Sequence, residues 1–183
     1  MSEQPDALKL LDFWISAGPE KWFNGGEAFD DACRAYEALW EAGRDGELHH
    51  WAETASGMLA LLILLDQIPR NIFRGEAKQF STDAKALGLA GLALDAGFDH
   101  SQMMPVKNFY YLPFMHSENL EDQLKCCDLL RPLDSMQHYY FALLHMDAIA
   151  RFGRFPHRNA VLGRETTDAE RAYLETGGFG ASH

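Results

Sequence analysis

The sequence predicts an all-α fold: an antiparallel helical array or bundle of two related multi-helix units around two buried central helices. Three observations carry this. Strand signals are scarce, while apolar residues recur at spacings of three and four. Two stretches, 47–67 and 135–152, are much more apolar than their surroundings. And the chain nearly repeats itself. Asp66-Gln67-Ile68-Pro69-Arg70-Asn71-Ile72-Phe73-Arg74-Gly75 closes the first stretch, and Arg154-Phe155-Pro156-His157-Arg158-Asn159-Ala160-Val161-Leu162-Gly163-Arg164 closes the second. With one inserted residue, Arg70-Asn71 aligns with Arg158-Asn159, and downstream Thr82-Asp83-Ala84 answers Thr167-Asp168-Ala169. An apolar helix, a Pro-Arg-Asn loop and a Thr-Asp-Ala helix start thus form a unit used twice, at about 47–97 and 135–176. The expected organisation is one helical domain over 1–176 with a flexible tail at 177–183.

Pro5 sits where a first-turn proline is tolerated, and Leu8, Leu11, Phe13, Trp14 and Ile15 follow until Gly18-Pro19 stops the helix. Asn24 is placed to cap a second helix carrying Phe29, Cys33, Tyr36, Leu39 and Trp40, which Gly43 ends. The third helix, 47–67, is apolar on every face between Ala55 and Leu65 except at Ser56, so protein surrounds it. Ser81 or Thr82 opens a fourth, ended by Gly97. Residues 104–114 are aromatic and broken by Pro105 and Pro113, which predicts short helix and loop. Ser117 caps the next helix, which ends before Pro132. Asp134 with Gln137 resembles a capping box for a long helix to Phe152, with Gly153 as its stop, and Thr167 with Glu170 repeats that pattern for the last one.

The chain has 183 residues, 47% of them hydrophobic, enough for one well-buried core. Its net charge of −11 argues against nucleic-acid binding and against a polybasic membrane attachment. Three cysteines, two of them adjacent (Cys126-Cys127), are a poor disulfide framework and fit a reducing compartment. The N-terminus lacks the pattern of a signal peptide, and the longest apolar run, 58–65, is far short of the roughly 20 residues of a membrane span. A cytoplasmic location is expected.

Proline after a helix leaves carbonyls in need of donors, which Arg70, Asn71, Arg158 and Asn159 can supply. That is a purely structural role. A functional role starts from counting: of 16 Lys and Arg, six (Arg70, Arg74, Arg151, Arg154, Arg158, Arg164) lie in or beside these loops, with His157 among them. Guanidinium forks gathered there would suit a carboxylate or phosphate. Asp66, with Gln67 at the end of a buried helix, needs a partner; Arg70 is the local candidate and Arg154 or Arg158 the alternatives from the other copy. Asp147 and Arg151 are spaced to pair. Among the eight histidines, His138 and His145 share a helix face and His116-Ser117-Glu118 precedes a helix, with Ser117 as cap and Glu118 complementing the dipole. None has a recognised metal-ligand spacing, so no metal and no cofactor is expected. A buried acid–base pair of His145 or His116 with Glu118 is a further candidate.

The string 64–75, the segment Pro113-Phe114-Met115-His116-Ser117-Glu118 followed by Gln123, and Phe152-Gly153-Arg154-Phe155-Pro156-His157-Arg158-Asn159 with Leu162-Gly163-Arg164 closely resemble the bacterial domain-of-unknown-function (DUF) family 924. Leu11-Asp12-Phe13-Trp14 and Trp22-Phe23 match it as well. The resemblance implies an all-helical, tetratricopeptide-like protein and carries no activity. Its motif positions here are Asp66, Gln67, Pro69, Arg70, Asn71, Arg74, His116, Glu118, Gln123, Arg154, Pro156, His157, Arg158 and Asn159. No tetratricopeptide consensus recurs at a period of about 34 residues.

The leading expectation is a binding or interaction module. Its ligand-binding residues would be Arg70, Asn71, Arg74, Arg154, His157, Arg158 and Asn159, facing an anionic small molecule or acidic peptide. Asp66, Gln67, Gln123, Asp147 and Arg151 would be structural. An enzyme, a hydrolase or lyase on an anionic metabolite using His116, Glu118 or His145, is the alternative, and a polar cluster that only staples the fold is the third. The residues leave open whether the protein is an enzyme, and leave its oligomeric state open too.

Overall fold

The computed structural model describes residues 4–180; of the expected tail at 177–183, residues 181–183 lie outside them. Among the described residues the secondary structure is helical and no strand forms. The chain divides into two compact units, Met1–Pro113 and Phe114–His183, and each holds one copy of the duplicated motif.

In the first unit, α1 (Pro5–Asn24) breaks at Gly18, whose φ of 78° no residue with a side chain adopts readily before Pro19. Short helices α2 (Gly26–Cys33) and α3 (Glu37–Asp45) follow, joined by a 3₁₀ turn. Asn24 does not cap α2; Gly25 takes that place. Gly43 does not end α3 either. It is buried inside the helix, where a Cβ would lie 3.2 Å from Leu64 and 3.3 Å from Leu65, and Gly46 (φ 89°) terminates it instead. Gly43 therefore serves close packing, not chain reversal.

The central helix α4 (Ala55–Leu62) starts later than expected, because Thr54 caps it by accepting from Gly57 N at 3.1 Å. It runs through a π turn (Ile63–Gln67) directly into α5 (Ile68–Ile72). Pro69 was expected to stop the helix. The wider π turn lets it sit in the first turn of α5, where its missing N–H costs little. Residues 58–65 are at most 2% exposed, enclosed by α1, α3, α6 (Asp83–Asp95) and the 3₁₀ turn His49–Glu53. Gly97 (φ 70°) closes α6, and residues 98–110 form 3₁₀ turns leading to α7 (Leu112–Met115).

In the second unit, α8 (Leu120–Leu130) turns back through residues 131–135 to pack on α9 (Met136–Phe152). Asn119, not Ser117, caps α8, its Oδ1 accepting from Glu121 N at 2.8 Å. Ser135 stands at the start of α9 in place of the expected Asp134/Gln137 box. Gly153 (φ 66°) ends α9, which buries a stripe of Ala142, His145, Ala148 and Ile149 while Tyr140 and Phe141 face outward. A 3₁₀ turn (Pro156–Arg158) and α10 (Asp168–Glu175) follow; α10 carries the complete Thr167/Glu170 capping box. Tyr173 and Phe179 pack against the small core of Ala148, Ile149 and Phe155, so part of the expected tail, 177–180, lies on the fold.

Candidate functional site

The first copy of the motif is a device for helix carbonyls. Pro69 has no N–H to offer Leu65 O, and Thr82 Oγ1 donates to that oxygen instead at 2.5 Å, while accepting from Trp40 Nε1 at 3.2 Å. Arg70 donates to Asp66 O, and Asn71 Nδ2 to Gln67 O at 3.2 Å. Three successive carbonyls are thus answered by side chains. Arg70 also grips Asp83 with two bonds of 2.9 Å and lies 3.5 Å from Asp66, whose Oδ2 accepts from Gln67 Nε2 at 2.5 Å. Burial disfavours the Arg70 charge, but Asp66 and Asp83 hold the guanidinium above its usual pKa. Arg74 grips Asp30 in the same two-point fashion, at 2.7 and 2.8 Å.

The second copy keeps the sequence and shifts the roles. Arg154 grips Glu170 (2.6 and 2.8 Å) and donates to Glu165 O. Glu170 also accepts from Thr167 N and Asn159 Nδ2, and with Arg154 as the main cause its carboxyl is held down to about 2. Asp168, the positional equivalent of Asp83, points to solvent. Glu118 does not complement a helix dipole: it accepts from Phe155 N at 2.8 Å and from Arg164 at 2.7 and 3.0 Å. Burial works to raise its pKa, and those partners outweigh it and hold the carboxyl below the usual range. Gln123, fully buried, donates through Nε2 to Phe114 O, Met115 O and Ser117 O, tying the end of α7 to α8. Arg151 pairs with Asp147 at 2.8 Å on an exposed face.

Beside these forks the second unit collects three imidazoles. The His145 ring lies 6.2 Å from His116, 5.6 Å from Phe155 and 3.8 Å from Phe179, and its Nδ1 faces Phe141 O at 2.7 Å. The His157 ring is 5.6 Å from Phe155 and 5.1 Å from Phe179. The Arg158 guanidinium stacks 4.5 Å above Phe155 and donates to His116 O at 3.1 Å. Burial first, then His116, pushes His145 down to about 3; burial first, then Arg158, pushes His157 down to about 4. Both rings are therefore neutral near pH 7. Among the described residues, His157 Nδ1 and, on the same turn, Asn159 Oδ1 are among the buried polar atoms without a hydrogen-bond partner.

The expected ligand residues thus separate into two groups. Arg70, Asn71, Arg74 and Arg154 hold carboxylates and carbonyls of their own unit. His157 and Arg158 line the histidine cluster with His116 and His145, whereas Asn159 bonds Thr166 and Glu170 beside the Arg154 fork. His138 bonds Ser135 and takes no part. Sequence reasoning missed Phe155, Phe179 and the Arg164–Glu118 fork; the Gly-Gly-Phe-Gly string at 177–180 was the available signal for Phe179. Among the described residues no three His, Cys, Asp or Glu side chains converge as a metal site, and no helix is long and apolar enough to cross a membrane. Burial pushes the Cys33 thiol up to about 12 and raises Cys126 and Cys127 as well, so all three are poor nucleophiles.

An all-helical chain with fork-stapled helix ends and a buried histidine cluster is the class of protein this geometry defines. The chain belongs to the DUF924 family, bacterial proteins of unknown function, whose model matches residues 10–178. It is similar to the solved structure of a protein of unknown function from Agrobacterium tumefaciens, at 44% identity and a TM-score of 0.90, with 94% of this chain and 98% of that one covered. No curated protein matches.

Proposed function

We propose that the protein is a small-molecule binding module, and that its site is the histidine cluster of the second unit: His116, His145, His157 and Arg158. The ligand is a small organic anion. The observation that carries this is His157 Nδ1, which among the described residues is a buried polar atom without a partner, in a cluster where three of the four charged neighbours acting on it are cationic. Among the described residues, Arg158, His116 and Arg164 work against protonation of His157, and Glu118 opposes them. A buried donor in a positive surrounding is a receptor for negative charge. Binding is favoured over turnover because Glu118, the expected acid–base carboxylate, is held charged by Arg164 and the Phe155 N–H, which makes it a weak base.

The forks formed by Arg70, Arg74, Arg154 and Arg164 are assigned to the fold. Their guanidiniums already meet carboxylates in two-point geometry, which leaves them little capacity for a ligand anion.

Thermal melts of wild type and His157→Ala against acetate, propionate, succinate, phosphate and a glutamate-rich peptide test this. At about 100 times its dissociation constant a ligand adds about 2.7 kcal/mol, a rise of roughly 5–10 °C for a chain of this size. The expected result is such a rise with a small carboxylate in wild type and its loss in His157→Ala. Equal rises in both proteins, or none with any anion, would refute the assignment; a rise with the peptide alone would replace the small molecule by an acidic peptide.

A further inference from the structure

We propose that the segment 177–180 is a built-in occupant of the histidine site, in which Phe179 stands where the aromatic ring of the ligand binds. The ligand is then an aromatic carboxylate, which enters by displacing Phe179. The inference rests on the assignment of that site as an anion site.

The Phe179 ring lies among three flat side chains: 3.8 Å and 41° from His145, 5.1 Å and 83° from His157, and 5.9 Å and 63° from Phe155. The contacts to His157 and Phe155 lie at the separations by which aromatic rings recognise one another, His145 sits closer still, and neutral imidazoles take part as flat π partners. The backbone reaches this place because positions 178 and 180 lack side chains. A Cβ at 178 would fall 2.5 Å from the Tyr173 ring and carbonyl, and a Cβ at 180 would fall 2.5 Å from His157 Nδ1 and Cγ. The glycine–phenylalanine pattern is therefore fitted to deliver one aromatic ring into the cluster.

The fit is incomplete in a particular way. With the segment seated, His157 Nδ1 is buried without a hydrogen-bond partner, and Gly180 is the residue packed over it. The segment is held on this side by Gly178 N to Tyr173 O at 2.9 Å and Phe179 N to the Tyr173 hydroxyl at 3.0 Å. Phe179 itself stays only partly buried. A ring bearing a carboxylate restores what Phe179 supplies and adds what it lacks. Its ring replaces the phenyl group between His145 and Phe155, and its carboxylate accepts from His157 in the tautomer that protonates Nδ1. Arg158, His116 and Arg164 supply the favourable potential, against Glu118.

The test uses the full chain. Benzoate, propionate and benzyl alcohol are titrated calorimetrically into wild type, Phe179→Ala and Gly180→Ala; the last dislodges the segment from His157 should loss of the phenyl ring prevent folding. The expected result is benzoate binding at least tenfold tighter in the variants than in wild type, with no comparable gain for propionate. Benzoate bound no more tightly by either variant, including the case of no binding anywhere, overturns the proposal. Carboxylates bound equally by all three proteins overturn it while leaving the anion site standing. A gain for benzyl alcohol as large as that for benzoate overturns the carboxylate part and the anion site together.

Discussion

A carboxylate in a protein core is tolerable only when its charge is answered. Asp66, 1% exposed, is answered by Arg70 at 3.5 Å and by Gln67 Nε2 at 2.5 Å. Asp66→Ala leaves Arg70 with less compensation in a buried place and is expected to cost about 3–5 kcal/mol in a denaturant melt; a change within about 0.5 kcal/mol would contradict this. The histidines give a pH dependence. His145 falls from 6.5 to about 3 and His157 from 6.5 to about 4, so in that interval the unfolded chain holds protons that the folded chain does not. Stability is complete above about pH 6.5 and declines as the pH falls below it. Glu170, held down to about 2 from 4.5, withdraws its contribution only below pH 4.5. Between pH 6.5 and 4.5 the loss therefore belongs mainly to the imidazoles, and His145→Gln is expected to flatten it in melts at pH 7 and pH 5. An unchanged slope would place His145 in solvent. That Asp66 needs a partner was legible in the sequence from its apolar context, with Arg70 the local candidate by spacing; Arg154 and Arg158 stayed open until the structure placed Arg70 there. That Glu118 serves Arg164 and Phe155 was not, since those partners are far along the chain.

At the level of elements, the duplicated Pro-Arg-Asn and Thr-Asp-Ala strings do different work in their two copies, and only the first answers a helix end whose carbonyls lack donors. In that copy the π turn and Thr82 do this. Thr82→Val removes the donor to Leu65 O and the acceptor of Trp40 Nε1, and is expected to cost about 1–3 kcal/mol by thermal or denaturant unfolding. Stability equal to wild type would mean that another donor reaches Leu65 O. In the second copy Arg158, aligned with Arg70, stacks on Phe155 and donates to His116 O, while Arg154 grips Glu170, so the repeat preserves the pattern and not the pairings. Glycine-stopped helices (Gly97, Gly153) and the Thr167/Glu170 box were readable because each signal is local. Gly43 misled because its packing against Leu64 and Leu65 is a tertiary fact with no local trace, and Ser117 because it bonds Asp122 while the neighbouring Asn119, an equally good cap, takes the helix end.

Across the whole chain, the all-helical class and the twice-used unit follow from periodicity and repetition. The partition into two units, one around a helix buried on every face and one around a helix buried on a single stripe, needed the coordinates. The histidine cluster was half legible. His116, His145, His157 and Arg158 were all candidates, but the sequence offered no way to separate them from the fork-forming arginines. Phe179 was missed because the Gly-Gly-Phe-Gly string has no periodicity and reads as a tail, although a lone aromatic among glycines was a signal to follow. The central claim is a division of labour between forks that hold the fold and a histidine cluster that holds a ligand. Its most direct measurement is a set of thermal melts of wild type, Arg70→Ala, Arg154→Ala and His157→Ala, each with and without a saturating small carboxylate. Arg70→Ala and Arg154→Ala are expected to melt several degrees lower yet keep the ligand-induced rise, while His157→Ala melts near wild type and loses it. A loss of the rise in the fork variants with their stability intact, or a full rise in His157→Ala, would contradict the claim.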